Sequence, residues 1–588
     1  MSDINFSISG EFKQWPAPSV SVRQLEPQLD EIVIDWKRSS PAEPESFAIE
    51  SEFDKGDADY QFSTSQLRGI PLLPEWAGAE AIRSELAANE PAVFFINPSG
   101  TNRLALAVSE VKRKVIIRGG LVEENGRIRL GVCFFSQPES ALSEYHAVIR
   151  IDRRAQFYAD TMAGVSQWFE RECGCPAAWV PALALEPVYS SWYTWHQNLS
   201  SQAVDEQMAV AVRFGLKGVI LDDGWQTDDN NRGYAFCGDW EVSKNRFPDF
   251  AGLVRKIHER GMYCMLWYAV PFVGPRSKAF DKYKDKMLYR WDYGDVGCLD
   301  PRFPEVREYL AGVYERAVRE WDLDGLKLDF IDSFTGSRGP DPAVSQGYAG
   351  RDIKSIPDAV DKLLGEVLSR LKAIKPELLV EFRQSYFGPA IRKYGTMIRA
   401  ADCPDDCISN RIRTITLRLT CGNAPVHSDM LMWRADESTQ TAARQLLNVL
   451  FSVPQISVDL NLLPPEHQQM LHFWLAFWRN HRQVLLRGKL RPYLPQNDFA
   501  LVTAENDLEM VAALYGNGQV VSIPADGRRC SIVNAADMCK VAVDNPGDTE
   551  RRVVRFDAMG NFLGESSLPP GLHWIEIPVC GLAEVGAR

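Results

Sequence analysis

The sequence predicts a multidomain protein in which a central (β/α)8 TIM barrel lies between an N-terminal β-sandwich and a C-terminal antiparallel β domain. Three observations predict it. Both ends of the chain are runs of short alternating strands, the middle repeats strand, loop and helix eight times, and 588 residues exceed what one hydrophobic core serves. Residues 1–160 carry segments such as EIVIDWK, PAVFFIN, RLALAVS and YHAVIRID, with one helical stretch expected at 78–88. Residues 161–184 read as a helical linker, because AQFYADTMAGVSQWFERE, which runs into it, repeats apolar positions at helical spacing.

Residues 185–486 carry the barrel, with strands expected at 187–194, 218–221, 263–268, 325–330, 378–382, 396–401, 424–427 and 455–459. Amphipathic stretches alternate with them, among them VDEQMAVAVRFG, FAGLVRKIHERG, PEVREYLAGVYERAVREW and IPDAVDKLLGEVLSRLKAI. No glycine-rich phosphate loop follows the first strand, which argues against a dinucleotide fold. Residues 487–588 return to short strands, such as FALVTA, LEMVAALY, CKVAVDN and RRVVRFDA, and form the second all-β domain.

Composition removes several function classes. Acidic side chains outnumber basic ones by 78 to 65, a formal charge of −13 that argues against a nucleic-acid partner and suits a neutral or cationic substrate. No apolar run approaches the ~18 residues of a membrane span. The opening MSDINFSISGEF has no basic, apolar leader, so no membrane partner and a cytoplasmic location are expected. Neither Cys173/Cys175 nor Cys403/Cys407 has zinc-ribbon spacing; free thiols are expected, and neither a metal nor a cofactor is implied.

Barrel chemistry sits at the C-terminal ends of the strands, so the polar residues there matter most. The second strand, GVILDDGW, ends in Asp222, Asp223 and Trp225. The fourth, DGLKLDF, alternates Lys327 and Asp329 toward the interior if Leu326 and Leu328 face the helices. The fifth, LLVEFRQSY, offers Glu381 or Arg383, and the sixth, TMIRAAD, delivers Arg399 and Asp402. Retaining cleavage of a glycosidic bond needs one ionised and one protonated carboxyl about 5 Å apart. Asp329 and Asp402 end strands two apart and can face one mouth, while Lys327 would keep Asp329 ionised. Asp222 and Asp223 suit chelation of two neighbouring hydroxyls. The bland alternative is that such an Asp merely caps the next helix. His427 and Asp429 either line the pocket or cap a helix, and each of Trp192, Trp195, Trp240, Trp267 and Trp291 is core or sugar platform.

With those residues in view, the segments GVILDDGWQ, GDWEVSKNRFPDFAGLVRKIHERGMYCMLWY, CLDPRFPEVREYL and DGLKLDF together resemble the melibiase-type α-galactosidases of glycoside hydrolase family 36, and more distantly family 27. The resemblance implies Asp329 as nucleophile and Asp402, in RAAD, as acid/base. It implies Asp222 and Asp223 as holders of the galactose 4- and 6-hydroxyls. Trp225, Lys327, Arg383, Arg399, Trp267 and Asp300 complete the substrate-binding set, with no cofactor and no metal. Departures cluster around the sugar's 2-hydroxyl and the leaving group: YAVPFVG stands where the family shows an EPEM-like run, FRQSYFGP where it shows a glycine-rich one, and ADCPDDC where it shows SDNTD.

The implied function is a retaining, exo-acting α-galactosidase of small α-galactosides, working by double displacement, with a homo-oligomer as the family habit. An α-N-acetylgalactosaminide or another α-linked sugar, transglycosylation, and a non-catalytic carbohydrate-binding barrel protein stand as alternatives. Bulky Arg383 and Tyr386 are expected to exclude a 2-acetamido group, and aglycone preference to depend on loops 226–239 and 333–356.

Overall fold

In the computed structural model, which describes residues 4–64, 70–77, 82–137, 139–291, 294–335 and 349–586, eight parallel strands form one sheet that curls nearly closed. In chain order they are β1 (Val188–Ser190), β2 (Gly218–Leu221), β3 (Tyr263–Ala269), β4 (Gly325–Asp329), β5 (Leu379–Arg383), β6 (Met397–Arg399), β7 (Val426–His427) and β8 (Gln455–Ile456). Each pairs with its chain neighbour, β8 returns to β1, and the β7–β8 seam is joined by the single bridges His427↔Val453 and Leu431↔Ile456. All eight overlap the spans expected from the sequence, but the first, expected at 187–194, ends at Ser190 and gives way to a helix at Trp192–Trp195.

The sequence also shows why the intervening helices start where they do. Ser200, Asp249, Ser355, Asp406 and Ser438 each cap a helix, their side chains accepting from the backbone N–H of Ala203, Gly252, Asp358, Ser409 and Thr441. Each cap contributes about 1 kcal/mol. The eightfold repeat has two irregularities. Between β3 and its helix (Pro304–Trp321) comes a small antiparallel sheet of Phe272–Val273, Met287–Trp291 and Val296–Leu299. After β5 there is no α-helix among the described residues, only a 3-10 turn at Ile391–Lys393.

At the N-terminus, a five-stranded and a seven-stranded antiparallel sheet pack through Trp36, Phe47, Ile49, Phe95, Leu106, Val132 and Ile149. The opposite face of the seven-stranded sheet, with Phe62, Phe94, Ile96 and Ala105, merges into the barrel's own core. The helix expected at 78–88 is not found: Ile82–Ser84 is a strand, because Ile82 and Ser84 alternate inward with exposed Arg83 between them, and residues 78–81 lie outside the described residues. The linker is helical only over Tyr158–Glu172; the Cys-Gly-Cys-Pro run that follows, with Gly174 at φ +57°, ends the helix, and 174–181 is irregular up to a 3-10 turn at Ala182–Leu185.

The C-terminal region pairs a seven-stranded with a three-stranded sheet, antiparallel except where Glu509–Leu514 meets Arg529–Asn534 and Val520–Ser522 meets Lys540–Asn545. Among the described residues no helix is long and apolar enough to cross a membrane. The twelve cysteines are free thiols.

Candidate active site

Period-two alternation fixes the mouth. On β4, Leu326 and Leu328 join the helix-facing core while Lys327 and Asp329 point inward. Asp329, the last residue of the strand and 6% exposed, is gripped by four donors. Arg383 Nε (2.7 Å), Tyr386 Oη (3.0 Å) and the backbone N–H of Phe330 (2.8 Å) donate to its Oδ1, and Trp267 Nε1 (3.1 Å) to its Oδ2. Burial pushes this carboxyl up, but the Arg383, Lys327 and Arg399 cations overcome it and hold Asp329 well below the usual carboxylate range. Phe330 follows at φ +65°, a strained conformation for a bulky residue, and turns the chain sharply away behind the carboxylate.

Asp402 lies three residues past the end of β6 and half open to solvent, with 55% of its side chain exposed. Arg399 Nη2 donates to its Oδ1 at 2.8 Å, and Arg413 holds the Ala401 and Asp402 carbonyls. Its carboxyl feels burial upward, Arg399 and Arg383 downward and Asp329 upward; the cations win and lower it. Of the two neighbouring acids, Asp406 is the helix cap and Asp405 accepts from Gln445, so Asp402 alone of the three faces the arginines.

The second-strand pair is deeply buried. Lys327 Nζ donates to Asp222 Oδ2 at 2.5 Å, so this lysine serves Asp222 directly and reaches Asp329 only through space, where Arg383 is the contacting cation. Asp223 accepts from Gln197 and Gln226, each at 2.7 Å, and burial raises its carboxyl to about 7. Around Arg399 stand three further acids: Asp402, Glu381 and Asp429. Asp429 is completely buried and also accepts from Tyr193 Oη (2.9 Å) and Cys403 N. It therefore caps no helix; Ser438 does that for the following one. His427 is buried against the Ala184 carbonyl, and burial lowers it to about 4.

Two expected substrate contacts are overturned. Trp225 is 0% exposed and belongs to the core. Gly224, at φ +116° and pressed so close to Gln197 that a Cβ would lie 2.6 Å from its Cα, swings the chain outward and carries Trp225 behind the strands. There it packs on Trp240, Tyr268 and Trp321, and its Nε1 donates to the Trp267 carbonyl at 2.9 Å. Asp300 follows the inserted sheet, outside the barrel strands, and its oxygens accept from Arg302 and Arg351, each pair at 2.9 Å; it anchors that insertion. Asp329 with Arg383 and Trp267, Asp402 with Arg399, and Asp222 with Asp223 and Lys327 form three bonded groups at the mouth, coupled to one another through space.

The remaining aromatic rings divide by strand geometry. Trp240 is core, whereas Trp192 is half-buried beneath Arg232 and Trp291 stacks on Tyr234 at the rim. Gln197, Gln226, Tyr193 and Asp332 escaped sequence reading. Only Gln226 had a signal, as the residue closing GVILDDGWQ. Asp332, one turn past Asp329 and raised by burial, accepts from Ser385 at 3.3 Å. Part of the 333–356 loop, 336–348, lies outside the described residues. Among the described residues there is no cluster of His, Cys, Asp or Glu able to hold a metal.

Fold and mouth together define an acid-lined (β/α)8 barrel carried between two β-sandwiches. The chain belongs to the melibiase family, whose model matches residues 185–488. It is 28% identical over 203 residues to alpha-galactosidase 2 of Pediococcus pentosaceus, covering 33% of this chain and 27% of that protein. It is 25% identical over 174 residues to probable alpha-galactosidase G of Emericella nidulans, covering 27% and 24%. The aligned part thus spans about a quarter of these curated relatives. A variant of the GH36 alpha-galactosidase AgaA from Geobacillus stearothermophilus, solved in complex with raffinose, superposes with a TM-score of 0.63 at 14% identity, over 100% of this chain and 88% of that one.

Proposed function

We propose that this chain is a retaining, exo-acting α-glycosidase that hydrolyses small α-galactosides of the melibiose and raffinose type. One observation carries the proposal: a buried, ionised carboxylate, Asp329, fully supplied with donors at the end of β4, beside a solvent-open carboxyl, Asp402, beyond β6. The relatives named as alpha-galactosidases point the same way, and so does the raffinose in the Geobacillus complex.

In this scheme Asp222 and Asp223 hold two hydroxyls of the sugar and Lys327 donates to one of them. A carboxyl raised to about 7, as Asp223 is, can donate as well as accept near neutrality. An Asp329 oxygen attacks the anomeric carbon and the glycosidic C–O bond breaks. Asp402 gives its proton to the departing oxygen, and a glycosyl–Asp329 ester remains. Asp402 then takes a proton from water, whose oxygen attacks the same carbon and frees Asp329. The anionic Asp329 raises the Asp402 carboxyl against the stronger lowering by Arg399 and Arg383, and esterification removes that upward push as Asp402 becomes the base. Arg383 and Tyr386, both bonded to Asp329, crowd the space a 2-acetamido group would need. The twelve free thiols support a reducing, cytoplasmic workplace.

The test is a panel of nitrophenyl α-galactoside, α-glucoside, α-xyloside and α-N-acetylgalactosaminide, with the anomer released followed by NMR. The α-galactoside is expected to turn over fastest, with the α-anomer as first product. Absence of turnover on all four, or first release of the β-anomer, would overturn the proposal.

A further inference from the structure

The outward face of the five-stranded N-terminal sheet is hollow where such faces are ordinarily filled by side chains. Register across three strands explains it. Glu50, Gly131 and Arg118 stand in one row, Ala48, Cys133 and Ile116 in the next. Gly131 contributes no side chain, and the Glu50 side chain leans over it, with Oε1 3.5 Å from where a Cβ would stand, so the row is a trough floored by an acceptor with Arg118 on the strand beyond. A third row ends in Gly120, where a Cβ would stand 2.6 Å from the Glu75 Cα; only glycine lets the turn Glu75–Ala77 lie down on the sheet. That turn lifts Trp76 to the rim.

Trp76 is 70% exposed, yet its orientation is fixed: Nε1 donates to Glu123 Oε2 at 2.9 Å. Beside it, Arg129 is tied to Glu52 (2.7 Å) and Glu75 (2.9 Å), so the wall is rigid. The resulting cavity measures about 340 Å³, within the size range of small-ligand sites. An exposed, oriented indole costs hydration that folding does not recover, and it offers a flat apolar plate next to polar groups. The apolar face of a pyranose matches the plate, and its equatorial hydroxyls match one carboxylate and one guanidinium. With acid and base in equal number in the row, the trough favours neither an anionic nor a cationic ligand.

We propose that this trough binds a pyranose unit of a neutral oligo- or polysaccharide, stacked on Trp76 and hydrogen-bonded to Glu50 and Arg118, as a second carbohydrate site apart from the barrel mouth.

Native affinity electrophoresis of the full chain in gels containing galactomannan tests this, with Asp329→Ala in every sample so that the probe stays intact. Retardation relative to a polysaccharide-free gel is expected, and Trp76→Ala or Arg118→Ala should weaken it at least threefold. In the active background the same two variants should turn over nitrophenyl α-galactoside within twofold of the parent. Three outcomes would overturn the proposal: no retardation of the parent, undiminished retardation of both variants, or light scattering showing that Trp76→Ala splits an oligomer, which would give the face to a second copy of the chain. Retardation is read without turnover, so its loss and a failure of the glycosidase assignment are separate results.

Discussion

The ends of β4 and β6 both present an aspartate to the same mouth, and the protein treats the two in opposite ways. Asp329 is the final residue of a strand bonded on both flanks, with 9% of its side chain exposed and four donors around it. Asp402 stands on a loop beyond a three-residue strand, 55% exposed, with one arginine on one oxygen. A group that must stay ionised and attack along a fixed line gains from rigidity and a cage of donors. A group that must gain and lose a proton each cycle needs water on one side and few fixed bonds. If the two take the proposed roles, environment more than residue type separates them.

Three substitutions separate the two ends, the largest effect first. Asp329→Ala should lower kcat roughly 10⁴-fold or more on every substrate, since no other group can form the ester. Stopped assays on nitrophenyl α-galactoside check it; residual activity within tenfold of the parent would erase the contrast. Asp402→Ala should instead show an effect graded by leaving group: about 10³-fold on a sugar aglycone and about tenfold or less on an activated phenol, with azide restoring turnover. Equal losses on both would mean that Asp402 transfers no proton.

The third substitution has the smallest effect on rate. Arg383 is the leading cation on Asp329 and the second on Asp402. Because it lowers both carboxyls, Arg383→Gln should move both limbs of the kcat/KM profile toward higher pH, by roughly one unit. The acid limb rises because Asp329 must be ionised; the alkaline limb rises because Asp402 must be protonated. Stability shifts in the matching direction. A depressed Asp329 stabilises the fold above its unfolded pKa of about 3.9 and loses that contribution as pH falls; the variant loses part of it at neutral pH, while Lys327 and Arg399 keep the rest. A profile that moves on one limb only would show that the two carboxylates do not share this arginine.

Most of the barrel was legible because its strands are apolar runs that end abruptly in charge, as GVILDD and GLKLD do. On β4 alternation put Lys327 and Asp329 on one face, whereas Arg399 and Asp402 were read from their place at the end of the sixth strand and from the family resemblance. Trp225 did not, because a single left-handed glycine before it reverses the face to which the chain delivers a side chain. Asp300 misled for another reason: its partner Arg302 is two residues on, but Arg351 is 51 residues away, and no local pattern announces a buried ion pair of that kind. The donors Gln197 and Tyr193 come from the segment after β1: Gln197 meets Asp223 beyond the adjacent β2, and Tyr193 meets Asp429 only through the closure of the barrel.

The absent fifth helix has a consequence for what counts as a domain. Where that helix would lie, the N-terminal sandwich leans in: Asn89 N donates to the Ser385 carbonyl at 2.8 Å, and buried Glu90 stands 3.6 Å from Arg392. The sandwich thus serves as a stave of its neighbour's wall. Severing the chain near residue 160 would not release a free-standing catalytic module; it would unroof one flank of the β5–β6 staves, and the halves would have to be made and retained as one piece.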